Sequence, residues 1–332
     1  MKTTLLRAVS IGLCTAGLMM GASVVQAKNF TVGHIQNTDH AIHKAIEKFK
    51  EYVETTSKGE ITVQIFPNSQ LGDALTQISS MRMGTLGGFV DGVGWYGQLE
   101  GDYYYPATAY AIKNWEAYGE VMDGEVGQGM AEKLLKNFGL RTLDQSWARL
   151  PRNVLASKPI RNIGDLQGKK MRVPELKSYI IPWQLMGSTP TPIAFSEVYL
   201  ALQQGVVDAL ECPIDNMYTQ RLHEVAKFLV MTRHQMESAN FVVSEQVFNT
   251  FTDDEKKILL DGAKAAKAEN DRLIQESEAA VIAKMKAEGV EVIEVNIQDF
   301  YDRAKDAPAV LEKDGTWTAG LAAKVTEINA KH

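Results

Sequence analysis

The sequence predicts an α/β chain folded as two lobes, and three observations predict it. From residue 29 to 84, strand and helix patterns alternate with short links, the order that gives a parallel sheet with covering helices. The part of the chain expected to fold is 305 residues long, more than a single hydrophobic core usually serves. A run of alanine, lysine and glutamate from 252 to 288, free of proline, is long enough as a helix to reach across two lobes.

Residues 1–27 stand apart from the fold. Lys2 and Arg7 precede an uncharged, mostly apolar stretch at 8–25, and Val25-Gln26-Ala27 ends it with a small-residue cleavage pattern. This is the pattern of a secretory signal peptide. Cys14 lies within it, but Leu13 is too large for a lipoprotein processing site. Cleavage after Ala27 is expected to release an exported chain. Taking 27 residues from 332 leaves 305, and losing two basic residues moves the net charge from −6 to −8. Such an acidic chain is a poor ligand for nucleic acid or anionic membranes, so any anion must be held by a local cluster of arginines. Only Cys212 remains after cleavage, which excludes an intrachain disulfide.

Within the folded part, residues 29–35 alternate as a first strand. Residues 37–39 offer caps for a helix at 41–56, which 57–59 stop. A second strand follows at 61–66 and Pro67 ends it. Asp73 caps a helix running to Met83 and closed by Gly84. Residues 84–105, rich in glycine and aromatics, read as irregular chain that either lines a cleft or packs as an ordinary loop. A helical pattern covers 115–136, a strand 140–144, and a crossover into the second lobe falls at 147–152.

The segment GDLQGKKMRVPE at 164–175 opens with turn residues, then alternates through Met171 and Val173 before Pro174 stops the strand. Arg172 is thereby placed near a strand's carboxyl end, where open α/β sheets bind ligands. Its fork of donors suits an oxyacid, although an arginine of this kind, taken alone, is more simply a surface salt-bridge partner. A helix is expected at 196–204 and a strand at 206–211, so that Cys212, just before Pro213, also sits at a strand's carboxyl end. Thr252 and Glu255 have capping-box spacing. The helix they start would span roughly 54 Å if unbroken, against a lobe diameter of about 40 Å. Either it bends or breaks near Gly262 or, as is preferred here, it crosses both lobes as a kinked strut. Gly289 closes it and a late strand follows at 290–295.

No nucleotide-binding glycine motif, nucleophile elbow or strong metal pattern is present, and neither a cofactor nor a bound metal is expected. His40 and His43 read as surface histidines of an amphipathic helix. Cys212 beside Glu211 is the one candidate nucleophile, and no histidine is tied to it by a motif. Binding without catalysis is therefore favoured.

Three segments carry a family resemblance: FPNSQLGD at 66–73, GDLQGKKMRVPE at 164–175, and TPTPIAFSEVYLALQQGVVDALECP at 189–213. In order, over nearly the whole chain, they resemble the DctP-type solute-binding proteins of tripartite ATP-independent periplasmic (TRAP) transporters. The resemblance implies a clamshell of two lobes, each a mixed sheet with covering helices, with hinge strands and a long bridging helix. It implies lobes at 28–149 plus about 238–277 and at 150–237 plus about 278–332. It implies a periplasmic monomer that binds a small organic anion, a carboxylate or alternatively a sulfonate, and delivers it to a membrane permease. The family's main carboxylate anchor falls on Arg172 and a second arginine on Arg152. Phe195, Glu175 and Trp95 fall on ligand-lining places. Two positions depart from the pattern. Cys212 replaces an asparagine with a weaker donor, and its thiol pKa is expected to be lowered by the two arginines. Gly92 stands where sialic-acid binders carry an acid, which argues against a large polyhydroxylated sugar acid. An exported Cys-dependent hydrolase and a ligand-sensing receptor on the same scaffold are the alternatives.

Overall fold

The computed structural model describes residues 27–332, so the export signal read at residues 1–27 lies, Ala27 apart, outside the described residues. Two mixed sheets with helical cover form the architecture. The first contains β1 (Lys28–Gly33), β2 (Ile61–Phe66), β3 (Gly88–Gly92), β4 (Leu140–Trp147) and β10 (Ala239–Ser244). Its order is β2-β1-β3-β10-β4, with β1 parallel to both β2 and β3 and with β10 antiparallel to both neighbours. The second contains β5 (Arg152–Ala156), β6 (Lys170–Val173), β7 (Thr189–Pro192), β8 (Ala209–Pro213), β9 (Phe228–Gln235) and β11 (Glu291–Glu294), in the order β11-β9-β5-β8-β6-β7.

Two adjacent strand pairs join the lobes. The chain passes from β4 to β5 through 148–151 and returns from β9 to β10 through 236–238. Because β4 pairs with β10 and β5 with β9, Trp147 opposite Ala239 and Arg152 opposite Gln235, the two crossings run side by side as a hinge.

The third crossing is helical. Thr252 caps the helix Asp253–Gln275 through a capping box with Glu255, as its spacing predicts. This helix packs along Ala41–Thr56 of the first lobe. The run crosses both lobes as the expected kinked strut, but its kink lies at Glu276 rather than near Gly262, and a second helix, Ser277–Ala287, continues against Ile214–Thr219 of the second lobe. Gly262 serves close approach: a Cβ there would lie 2.9 Å from Val53 and 3.1 Å from Phe49. At the true break the Ser277 hydroxyl donates to the Ile274 carbonyl at 2.9 Å, competing with the helical ladder.

Other differences have local causes. His40, not the 37–39 segment, caps the first helix by accepting from the Ile42 amide. His40 and His43 are buried rather than on the surface, because His43 turns inward to meet His34 of the β1 loop at 3.0 Å. The glycine-rich stretch hides strand β3, all of it buried. The helical pattern at 115–136 is two helices, Trp115–Asp123 and Glu125–Phe138, divided at Gly124. The strand expected at 206–211 lies at Ala209–Pro213. After β11 the chain is helical: Ile297–Ala304 packs on β9, while Leu321–Lys331 reaches back to Trp115–Asp123, so this arm touches both lobes.

The helix contact at Gly262 supplies a test. Gly262→Leu must push the two helices apart and is expected to cost about 1–3 kcal/mol, read as a lower urea midpoint with an unchanged slope. A midpoint equal to wild type would mean that the close approach is not needed.

Candidate functional site

Sheet order brings the site together. Strands β5, β8 and β6 are neighbours, so Arg152, Arg172 and Cys212, successively 20 and 40 residues apart in sequence, reach the same edge of the second lobe. Opposite them, Gln36 follows β1 and Asp91 and Trp95 lie at the end of β3. The cavity between is lined by Arg152, Arg172, Cys212, Phe195 and Trp95 of the expected residues. Glu175 is not among them. Its side chain is exposed and lines an adjoining pocket that shares Trp95 and Phe195.

The two expected arginines differ in kind. Arg152 is 4% exposed and fully engaged: Nε and Nη2 donate to Glu211 at 2.6 and 2.7 Å, and Nη1 donates to Glu237 at 2.7 Å. Arg172 is 1% exposed, and its Nε and Nη2 donate only to the Ile193 carbonyl, at 2.9 and 2.7 Å. Among the described residues no carboxylate comes within salt-bridge distance of it. The simple reading of Arg172 as a surface salt-bridge partner is thus set aside. Its guanidinium lies 5.6 Å from the Phe195 ring centre. Burial draws its pKa down to about 10, which still leaves it cationic at neutral pH.

Sequence reading missed most of the polar lining. Arg149, in the first crossing, forms an ion pair with Glu237 at 2.9 Å and donates to Asp91 at 3.5 Å. Tyr179 donates to Glu237 at 2.6 Å. Asn216 donates to Gln36 at 2.6 Å and Gln36 to Asp91 at 2.8 Å, a seam from the second lobe to the first. Gln36, Arg149 and Glu237 sit in crossings and loops without periodic pattern, while Asp91, Tyr179 and Asn216 lie in the elements Gly88–Gly92, Lys177–Leu185 and Ile214–Thr219. The one available signal was the pair of arginines at 149 and 152 inside the predicted crossover.

Cys212 lines the cavity but is not activated. Burial pushes its thiol up to about 12, outweighing the pull of Arg152 and Arg172, so the expected lowering does not occur. No histidine contact activates it. His234 instead meets Glu211 at 3.1 Å and the Thr232 hydroxyl at 2.8 Å.

Comparison with known proteins decides the family. Residues 32–312 match the model of "Bacterial extracellular solute-binding protein, family 7", DctP. The chain belongs to this family. It is 30% identical over 307 residues to a solute-binding protein of Roseobacter denitrificans, covering 92% of this chain and 93% of the relative. A TRAP periplasmic solute-binding protein structure from that organism, with bound L-galactonate, superposes with a TM-score of 0.83 over 91% of this chain and 99% of the other. A Polaromonas TRAP solute-binding protein with bound D-erythronate is 27% identical, with a TM-score of 0.84 over 91% and 98%. The sialic acid-binding periplasmic protein of Vibrio cholerae is 28% identical over 304 residues, 90% and 92% of the two chains. As a DctP-family member the chain is a periplasmic solute receptor of the TRAP class, the partner of a membrane permease. Among the described residues no helix is long and apolar enough to cross a membrane.

Two outcomes test this geometry. Burial opposes the ionisation of Glu211, yet Arg152 and His234 hold its carboxyl down at about 2. A carboxyl depressed in the folded state stabilises above its ordinary pKa, and that stability is lost as the pH falls from about 4.5 towards 2. Glu211→Gln is expected to cost about 3 kcal/mol at pH 7 in urea unfolding, with the deficit narrowing through that acid window. A deficit of equal size at pH 7 and pH 2.5 would contradict the charge assignment. Separately, maleimide should label Cys212 at pH 7.5 roughly a hundredfold more slowly in the native chain than in urea. Equal rates would place the thiol in solvent.

Proposed function

We propose that this receptor captures a small organic acid, carboxylate or sulfonate, by pairing its anionic group with Arg172. The observation that carries the reading is a guanidinium taken out of water and given only a backbone carbonyl. A buried cation without a counterion is costly, and an oxyacid arriving from solvent supplies two acceptors in the geometry of its fork. Phe195 and Trp95 supply apolar walls, and Asp91 and Asn216 can bond ligand hydroxyls. The organic acids bound by the relatives support this class of ligand.

The cavity volume is about 30 Å³, enough for roughly two waters and too little for an organic acid. Entry therefore requires the lobes to part about the hinge, and the ligand, touching both lobes only when they close, selects the closed state. We divide the lobes at the hinge crossings and at Glu276. The chain works outside the cytoplasm after its signal segment is cleaved following Ala27, and it binds without catalysis. A thiol pushed up to about 12 and without a base does not supply the nucleophile that the hydrolase alternative needs. Glu175, outside the cavity, is assigned to the rim and contacts the ligand only through the adjoining pocket.

Mass spectrometry of acids that co-purify with the receptor identifies the ligand for calorimetry. Arg172→Ala is expected to weaken its binding by about 3 kcal/mol, more than a hundredfold, with only part regained in Arg172→Lys because a point charge cannot reproduce the fork. An unchanged dissociation constant in the alanine variant overturns the assignment.

A further inference from the structure

Three guanidiniums surround the cavity, those of Arg149, Arg152 and Arg172, and three carboxylates answer them, those of Asp91, Glu211 and Glu237. The matching is uneven. Glu237, in the β9–β10 crossing and 1% exposed, takes Arg149 at 2.9 Å and Arg152 at 2.7 Å on one oxygen. Its other oxygen accepts from Tyr179 at 2.6 Å and from Gln235 at 3.2 Å. Three hydrogen-bond donors and the Arg149 ion pair hold this carboxylate within the cavity lining, and none of them is Arg172.

The backbone facing this group is bare for a reason. A Cβ on Gly92 would lie 2.5 Å from Arg149 Nη1 and 3.2 Å from Glu237 Oε1. The Glu237–Arg149 pair occupies the space that a side chain at position 92 would fill. Glu237 therefore sits where a second anionic group of a ligand would otherwise find two arginines.

We propose that Glu237 sets the charge of the ligand: as an internal carboxylate it pairs with and balances the charge of Arg149 and Arg152, so the receptor accepts acids with one anionic group and rejects those with two. The inference rests on the function proposed above and narrows it. With Arg149 and Arg152 neutralised, Arg172 is the one guanidinium left for an anion, and a second carboxylate would be pressed against Glu237 and Asp91. Like charges brought together out of water weaken binding strongly.

The test compares acids of matched carbon number by calorimetry: L-galactonate with galactarate, and D-erythronate with tartrate. The wild type should prefer the monocarboxylate of a pair by roughly tenfold or more. Glu237→Gln keeps the shape and removes one negative charge, and should narrow that ratio by roughly tenfold. In the double variant Glu237→Gln/Arg149→Met the charge balance returns, and so should the preference. If Glu237→Gln does not fold, Arg149→Met alone tests the balance from the other side, since the preference must then widen. Dicarboxylates bound as tightly as their partners by the wild type, or a ratio indifferent to these substitutions, overturns the proposal. In both of those cases Arg172-dependent binding of the acids would leave the organic-acid reading standing. Failure of the wild type to bind any acid, in the panel or co-purified, overturns that reading and this inference with it.

Discussion

The structure turns on a buried ionic core at its hinge. Arg149 and Arg152 come from one crossing, Glu237 from the other, and Glu211 from the neighbouring strand, all within 5% exposure. Removing such charges from water costs several kcal/mol per ion, recovered only when geometry is good and the remaining donors and acceptors are met. Here they are met except at Arg149 Nε: Glu211 accepts from both Arg152 and His234, and Glu237 accepts from Arg152, Tyr179 and Gln235 and pairs with Arg149. The core fixes the two crossings to each other. In the opening proposed above, rotation about them moves Arg172, Phe195 and Cys212 relative to Gln36, Asp91 and Trp95.

Sequence reasoning reached the architecture where local signals are strong. Asp73 capping its helix, the Thr252–Glu255 box and the strand ended by Pro67 all appear where their chemistry places them. It failed on fully buried strands. β3, β5 and β10 are buried along their whole length, so they lack the alternation that marks a half-exposed strand. It also failed at the helix break, where neither proline nor glycine marks Glu276 and a single serine hydroxyl takes a carbonyl instead.

The site was half legible for a related reason. Arg172 could be read from its place before Pro174, and Cys212 from its place before Pro213. Whether an arginine is already engaged could not be read. The partners of Arg152 lie 59 and 85 residues away, on elements whose adjacency only the sheet order reveals. A surplus of charge belongs to the assembled cluster, and no single segment carries it.

On the proposed function, this difference between the two arginines sets how binding couples to closure. Arg152 gains little from a ligand anion, because its donors are spent and its charge is balanced. Arg172 holds the opposite position, desolvated and bonded only to the Ile193 carbonyl. An anion there removes the cost of a lone buried cation, and that relief is largest when closure excludes water. In an open cleft, solvent would screen Arg172, and the same anion would gain much less. On the function proposed above, the interaction that recognises the acid is also the one that favours the closed form, and only a ligand that both fits the fork and leaves Glu237 in place can use it fully. Cys212 is consistent with this division: a neutral thiol beside Arg172 adds no competing charge and leaves the guanidinium to act alone.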